Sequence, residues 1–263
     1  MATDKIRINI DNHIARITLT QPEKHNAFDD TVIAALTKAF ALVTDDPTIR
    51  VLVLSGEGKS FSAGADLEWM RRMSDYDEIE NLIDAKSMAN MLAILNGCPK
   101  PTIARVHGAA YGGGVGLVAC CDVAIATENA QFCLSETKFG LAPSTISPYV
   151  INAISEKNAR RFFLTAERFN AVTAKEIGLI DIITTSDEID SEINKLINNL
   201  LENGPMAIAA CKELINEVGR GNPKQSLIDY TANHIAKLRS SNEGKEGLNA
   251  FLEKRNPVWK NEI

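Results

Sequence analysis

The sequence lacks the runs and clusters that mark several large classes of protein. No segment approaches the roughly 18 uninterrupted apolar residues of a membrane-spanning helix. The opening MATDKIRINIDN alternates charged and apolar residues, so no secretory leader is expected. There is no lysine- or arginine-rich block and the formal net charge is -6, which argues against nucleic acid or a membrane surface as a partner. Cysteine is scarce and odd in number: Cys98, Cys120, Cys121, Cys133 and Cys211 form no C-x-x-C pair. That usage fits reduced thiols in a cytoplasmic protein. The four histidines (His13, His25, His107, His234) lie far apart and form no H-E-x-x-H pair, so no protein-built metal site is expected.

What is present is a chain of 263 residues, 45% apolar and 24% charged, enough for one core without staples. Residues 5–10 and 14–20 alternate with a period of two around DNH and predict a β-hairpin. A helix is expected over 29–44, with Val32, Leu36, Phe40 and Val43 on one face. Next comes IRVLVLSG at 49–56, whose unbroken run Val51, Leu52, Val53, Leu54 suggests a strand buried on both faces. A helix near 78–95, then short strands in KPTIARVHG, DVAIAT, AQFCLSE and GLIDIITT, continue an alternating α/β order to about residue 185. Helical periodicity follows near 188–202, 206–219, 224–238 and 243–254, with breaks at NGP, GRGNP and SSNEG.

Four of the five residues in GGGVG, 112–116, are glycine, directly ahead of a helix-like run. Two phosphate-loop patterns fail here. SGEGKS at 55–60 contains GKS, but Val53 stands where the Walker pattern needs glycine. Gly114, Gly116 and Ala119 satisfy G-x-G-x-x-A, with Glu136 further on, yet HGAAYGG separates them from the strand TIARV. Only about two turns of helix fit before the next strand, too few for a dinucleotide-binding crossover. Each glycine inside a helix costs about 0.5–1 kcal/mol relative to alanine, so something must offset the cluster. Close helix-to-strand packing is one candidate. A ligand atom approaching bare N–H groups at a helix start is the other. FSAGADL at 61–67 offers a second such loop, and two amides converging on one oxygen would form an oxyanion hole suited to a thioester enolate.

SFSAGADL (60–67), PTIARVHGAAYGGGVGLVACCDVAIA (101–126) and AQFCLSETKFGLAP (130–143) resemble, in order and spacing, the crotonase or enoyl-CoA hydratase/isomerase superfamily. QPEKHNAF, TAERFNAVTAKEIGLID and EGLNAFLEKRNPVW extend the resemblance over nearly the whole chain. It implies an α/β fold: a crotonase-like spiral of ββα units over 1–200 carrying the active site. A C-terminal helical trimerisation region over 201–263 would build a homotrimer or a dimer of trimers. The implied substrate is an acyl-CoA, so coenzyme A arrives with the substrate and no separate cofactor is expected. By the same resemblance the oxyanion hole maps to the N–H groups of Ala65 and Gly113, with Gly112 among the substrate-contacting positions. Lys24, Ala27, Ala63 and Asp66 match positions along the adenosine part of CoA. Phe251 and Lys254 match positions that approach the CoA of a neighbouring subunit.

One departure matters. Hydratases of this superfamily use two glutamates that share a water; one position maps to Glu136, the other to Gly116. Hydroxycinnamoyl-CoA hydratase-lyases and enoyl-CoA isomerases resemble this chain in keeping only the later acid, so hydration and double-bond isomerisation both stay open, as does an idle CoA-binding scaffold. GGGVGLVA, LSETKFGLAPSTISPYV and RRFFLTAERF are similar to bacterial methylglutaconyl-CoA hydratases of leucine breakdown. Their substrates carry a second carboxylate, for which Arg71, Arg72, Lys138, Ser144, Thr145 and Ser147 are the candidate partners.

Overall fold

The computed structural model describes residues 5–219 and 225–260. The two period-two segments pair as an antiparallel hairpin, β1 (Ile6–Asp11) with β2 (Ile14–Leu19), from Ile6 opposite Leu19 to Asp11 opposite Ile14. Its tip holds Asn12 and His13 at φ of 46° and 66°, and positive φ at both turn residues suits the right-handed twist of the strands. Helix α1 (Asp30–Asp45) begins where the Asp29 carboxylate accepts from Val32 N–H at 2.7 Å. It buries the expected face, Val32, Leu36, Phe40 and Val43, together with Ile33 and Ala39.

A repeated unit follows. β3 (Val51–Gly56) and β4 (Ser60–Ser62) lead into α2 (Leu67–Asp75) and α3 (Glu78–Asn96). β5 (Thr102–Val106) and β6 (Ala109–Tyr111) lead into α4 (Gly113–Cys120). β7 (Val123–Thr127) and β8 (Gln131–Cys133) lead, through a 3-10 turn over Glu136–Phe139, into α5 (Ser147–Thr165). Then come β9 (Phe169–Asn170), α6 (Ala171–Glu176), β10 (Ile182–Thr184) and α7 (Ile189–Leu201). In each of the three ββα units the first strand joins a six-stranded sheet ordered β1-β2-β3-β5-β7-β10 and the second joins a four-stranded sheet ordered β4-β6-β8-β9; β9 and β10 then extend the small and the large sheet in turn. Pairing is parallel throughout, apart from the β1/β2 hairpin and the β8/β9 edge. This is a spiral of ββα units, with the chain crossing between two sheets once per turn.

The run Val51–Leu54 serves two cores at once. Leu52 and Leu54 face the main core, while Val51 and Val53, with Ile103 and Ile125, meet Ile189, Ile193, Ile197 and Leu201 of α7. Those four α7 residues recur every four positions, one stripe of a helix. The last helices, α8 (Pro205–Val218), α9 (Gln225–Ser240) and α10 (Asn242–Glu253), bury little: Ala250 is their one buried residue among the described residues. They leave Met206, Ile215, Phe251 and Leu252 at 58%, 67%, 80% and 75% exposure, an apolar surface of the kind that meets another surface. The expected break GRGNP opens at Gly219, the residue that ends α8; the rest of it and the start of the helix at 224 fall on residues 220–224, outside the described residues.

Truncating the α7 stripe tests whether that second core holds the sheet. Ile193→Ala should cost about 2–5 kcal/mol, read in urea denaturation as a lower midpoint at unchanged slope.

Candidate active site

The loop ahead of α2 is fixed from below by a buried amide. Asn26 donates from Nδ2 to Glu57 O at 2.9 Å and Ser60 O at 2.8 Å, and its Oδ1 accepts from Gln21 N–H at 3.0 Å. The next turn of chain then forms a parallel bridge between Phe28 and Ala65. Phe28 N–H donates to Gly64 O at 2.7 Å, and Asp66 N–H donates to Phe28 O at 2.7 Å. In such a bridge the flanking residues 64 and 66 carry the bonds, so the N–H of Ala65 points to the opposite side. It donates to no backbone group among the described residues. Gly64, at φ +95°, makes the turn possible.

The second loop works by another route. Gly112 sits at φ 49°, ψ -117°, a conformation closed to side-chain-bearing residues, and its N–H donates to Cys133 O at 2.9 Å. Gly113 is the first residue of α4, so its N–H has no carbonyl in the preceding turn. Packing bears on Gly113 as well as on Gly114. A Cβ on Gly114 would lie 2.5 Å from Ser62 O, and one on Gly113 would lie 2.8 Å from Met88 Cε. Close packing, one of the two explanations left open by the sequence, therefore applies to Gly113 and Gly114, while the turn at Gly112 answers to backbone conformation.

Glu136 meets both loops. A Cβ on Gly112 would lie 3.2 Å from Glu136 Oε1 and 4.0 Å from Gly64 Cα, so the two turns and the carboxyl share one spot. Oε2 of Glu136 is buried without a hydrogen-bond partner. Burial raises its pKa above the ordinary 4.5, against a small opposing effect of its own backbone amide. A carboxyl in that state can hold a proton at a pH where a surface glutamate has lost it.

Two cavities meet here. One, about 380 Å³, is lined by Ala65, Gly112, Gly113, Glu136, Lys138 and Arg168, among others. The other, about 510 Å³, is lined by Lys24, Ala27, Ala63, Asp66 and Arg71, among others. Ala63, Ala65 and Leu67 line both. Asp66 is engaged inside the protein: Oδ1 caps α2, accepting from Glu68 N–H at 2.9 Å and Trp69 N–H at 3.1 Å, and Oδ2 accepts from Lys24 Nζ at 3.0 Å. Burial disfavours its charge, yet these bonds outweigh that and hold its pKa below the ordinary value.

Of the six residues expected near the far end of the acyl group, only Lys138 lines the cavity that holds Glu136. Arg71 lines the other cavity, and Arg72 pairs with Asp30 at 2.5 Å. Ser144, Thr145 and Ser147 line neither, and Ser147 Oγ donates to Ser144 O at 2.8 Å. The sequence reading missed Arg168, whose only sequence signal is its place in TAERF. Phe251 and Lys254, at the exposed end of α10, line neither cavity of their own chain. Among the described residues no group of three or more His, Cys, Asp or Glu is placed to hold a metal, and no helix is long and apolar enough to cross a membrane.

Gly116 is more than an absent acid. It is buried in α4, and a Cβ there would lie 2.9 Å from Ile146 Cβ and closer still to Ile146 Cγ2. Ile146, 2% exposed, fills the space a side chain would need. Gly116→Ala should therefore cost about 1–3 kcal/mol by overpacking. Adding Ile146→Ala should return part of that loss, read as a non-additive double-mutant cycle in denaturation.

Residues 9–262 match the family model described as enoyl-CoA hydratase/isomerase. The crystal structure of an enoyl-CoA hydratase from Shewanella pealeana has a TM-score of 0.95 to this chain at 43% identity, covering 97% of this chain and 96% of that one. A crotonyl-CoA hydratase of Syntrophomonas wolfei is 30% identical over 257 residues, 97% of each chain. A trans-2-decenoyl-acyl-carrier-protein isomerase of Streptococcus mutans is 28% identical over 257 residues, again 97% of each. With its two-sheet spiral and these matches along nearly its full length, the chain belongs to the enoyl-CoA hydratase/isomerase family of the crotonase superfamily, and is an enzyme of that family.

Proposed function

We propose that this enzyme hydrates an α,β-unsaturated acyl-CoA, with methylglutaconyl-CoA as the leading acyl group. What supports this reading is that Ala65 and Gly113, whose N–H groups have no backbone partner among the described residues, line one cavity with Glu136, whose Oε2 is buried and unpartnered. The thioester oxygen would accept from both amides. As water adds through its oxygen to the β-carbon, the electron pair of the double bond moves toward that oxygen, where the amides and the start of α4 stabilise the charge. Glu136 delivers its proton to the α-carbon, and the proton lost by the water restores the acid. The CoA handle would lie in the neighbouring cavity along Ala27 and Ala63, with Lys24 and Asp66 at its side. Methylglutaconyl-CoA is favoured by motif similarity and would place the enzyme in leucine breakdown.

A second reading is favoured by Gly116 and Ile146, which put hydrocarbon where a second acid would stand. A lone carboxylate can take a proton from the α-carbon of a 3-enoyl-CoA and return it to the γ-carbon, moving the double bond without water. In either reading residues 1–200 carry the chemistry and residues 201–263 would bring copies together as a trimer or a dimer of trimers. A neighbouring copy would then offer Phe251 and Lys254 to the CoA. The five free thiols favour the cytoplasm.

Glu136→Gln should lower turnover by about 10²–10⁴-fold while leaving CoA binding intact by calorimetry; full activity would end both readings. Because burial raises the carboxyl pKa, the folded state holds this proton more tightly than the unfolded chain does. Stability present below pH 4.5 is then lost as pH rises toward the raised pKa, so the Gln variant should be no less stable than the wild type at pH 7. The pH profile separates the readings. Hydration needs the acid protonated and should fall as pH rises through the raised pKa, whereas isomerisation needs the carboxylate and should rise over the same interval.

A further inference from the structure

The arginines among the described residues are engaged, with three exceptions. Among the described residues, Arg7, Arg16, Arg50, Arg72, Arg105, Arg160, Arg161 and Arg255 each donate to a carboxylate, an amide or a carbonyl oxygen. Arg71, Arg168 and Arg239 donate to none. Arg239 lies near the end of α9. The other two line the two cavities, Arg71 the one beside Lys24 and Arg168 the one that holds Glu136.

Sheet register puts Arg168 there. Tyr111 of β6 pairs with Cys133 of β8, and Phe132 of β8 pairs with Phe169 of β9 in the antiparallel sense. Arg168, one residue before Phe169, therefore falls beside Cys133 in the same cross-strand row, and residues in one row share a face of the sheet. Tyr111, Cys133 and Arg168 all line the cavity, as does Glu136 three residues beyond Cys133. The guanidinium carbon of Arg168 stands 5.4 Å from the centre of the Tyr111 ring, a contact that orients the group and leaves its N–H donors free. Lys138, the other cation on this cavity, has no ion pair either. Glu136, the one acid in the lining, is half-buried with its Oε2 out of solvent, and pairs with neither. Two uncompensated positive charges thus flank a reaction cavity in a chain whose formal net charge is -6.

The geometry points to Arg168 as the residue that binds a carboxylate at the far end of the acyl group, which makes the substrate class the enoyl-CoA of a dicarboxylic acid. Lys138 adds to the attraction. The inference rests on the reading above in one respect, that the acyl group lies beside Glu136. It replaces five of the six candidates drawn from sequence with a residue that faces the cavity. A planar guanidinium is suited to grip both carboxylate oxygens, which a lysine cannot do.

Saturated analogues test it without any turnover. Glutaryl-CoA and valeryl-CoA have acyl groups of equal carbon count and differ in the terminal carboxylate. By calorimetry the wild-type enzyme should bind glutaryl-CoA about 10- to 100-fold more tightly, the worth of a charge-assisted pair. Arg168→Gln should erase that preference while keeping valeryl-CoA affinity within about two-fold, which also reports an intact fold. Arg168→Lys should restore part of it. Equal binding of the two analogues by the wild type, or equal weakening of both in Arg168→Gln, overturns the assignment. So does a preference lost in Lys138→Gln and kept in Arg168→Gln. Turnover of glutaconyl-CoA and pent-2-enoyl-CoA is read separately: conversion of neither defeats the hydratase reading and leaves the binding result standing, whereas conversion of both without a binding preference defeats only the carboxylate site.

Discussion

A backbone amide in a folded chain goes without a backbone partner only where local geometry turns it away from neighbouring carbonyls. Here the parallel bridge between Phe28 and Ala65 spends the amide of Asp66 and the carbonyl of Gly64 on Phe28, and so turns the Ala65 N–H outward. Across the cavity the same result comes from a helix beginning at a glycine held in a left-handed turn. The two-sheet spiral brings these devices together, because β4 and β6 are neighbours in the small sheet and each ends at one of the two loops. Glu136 follows β8, the next strand in that sheet. Three successive turns of the spiral thus bring the Ala65 loop, the start of α4 and Glu136 to one edge.

Much of this was legible in the residues, for identifiable reasons. The hairpin, α1, and the run Val51–Leu54 carry strong periodic signals, and the structure explains the last of these by two cores on opposite faces of β3. The small sheet was not legible as a sheet. Its strands span two or three residues each, too few for alternation to show, and its pairings are long-range. That is also why Arg168 escaped notice: its position depends on the register of β9 against β8, which no local pattern encodes. The glycine cluster was legible as a demand on the backbone, but not in its division of labour. Gly112 serves conformation, and Gly114 and Gly116 serve packing.

The contact between Gly116 and Ile146 changes the meaning of the missing acid. A simple deletion would leave a void or a water beside α4; instead a buried isoleucine from the segment before α5 closes the space. The single-carboxyl site is therefore a packed arrangement in its own right. Burial of Glu136 follows the same logic, since hydrocarbon around it is what lifts its affinity for a proton.

The shared wall of Ala63, Ala65 and Leu67 has a consequence for how a substrate is held. A molecule that spans both chambers is fixed at its two extremities, so the bond between them has little freedom left to lose when it reacts. An unattached short acid would occupy the inner chamber alone and would have to surrender its tumbling there unaided. For an acyl-CoA seated as proposed, selection would operate as a ruler, matching the span of the whole molecule to the distance between two rooms that meet at two alanines and a leucine.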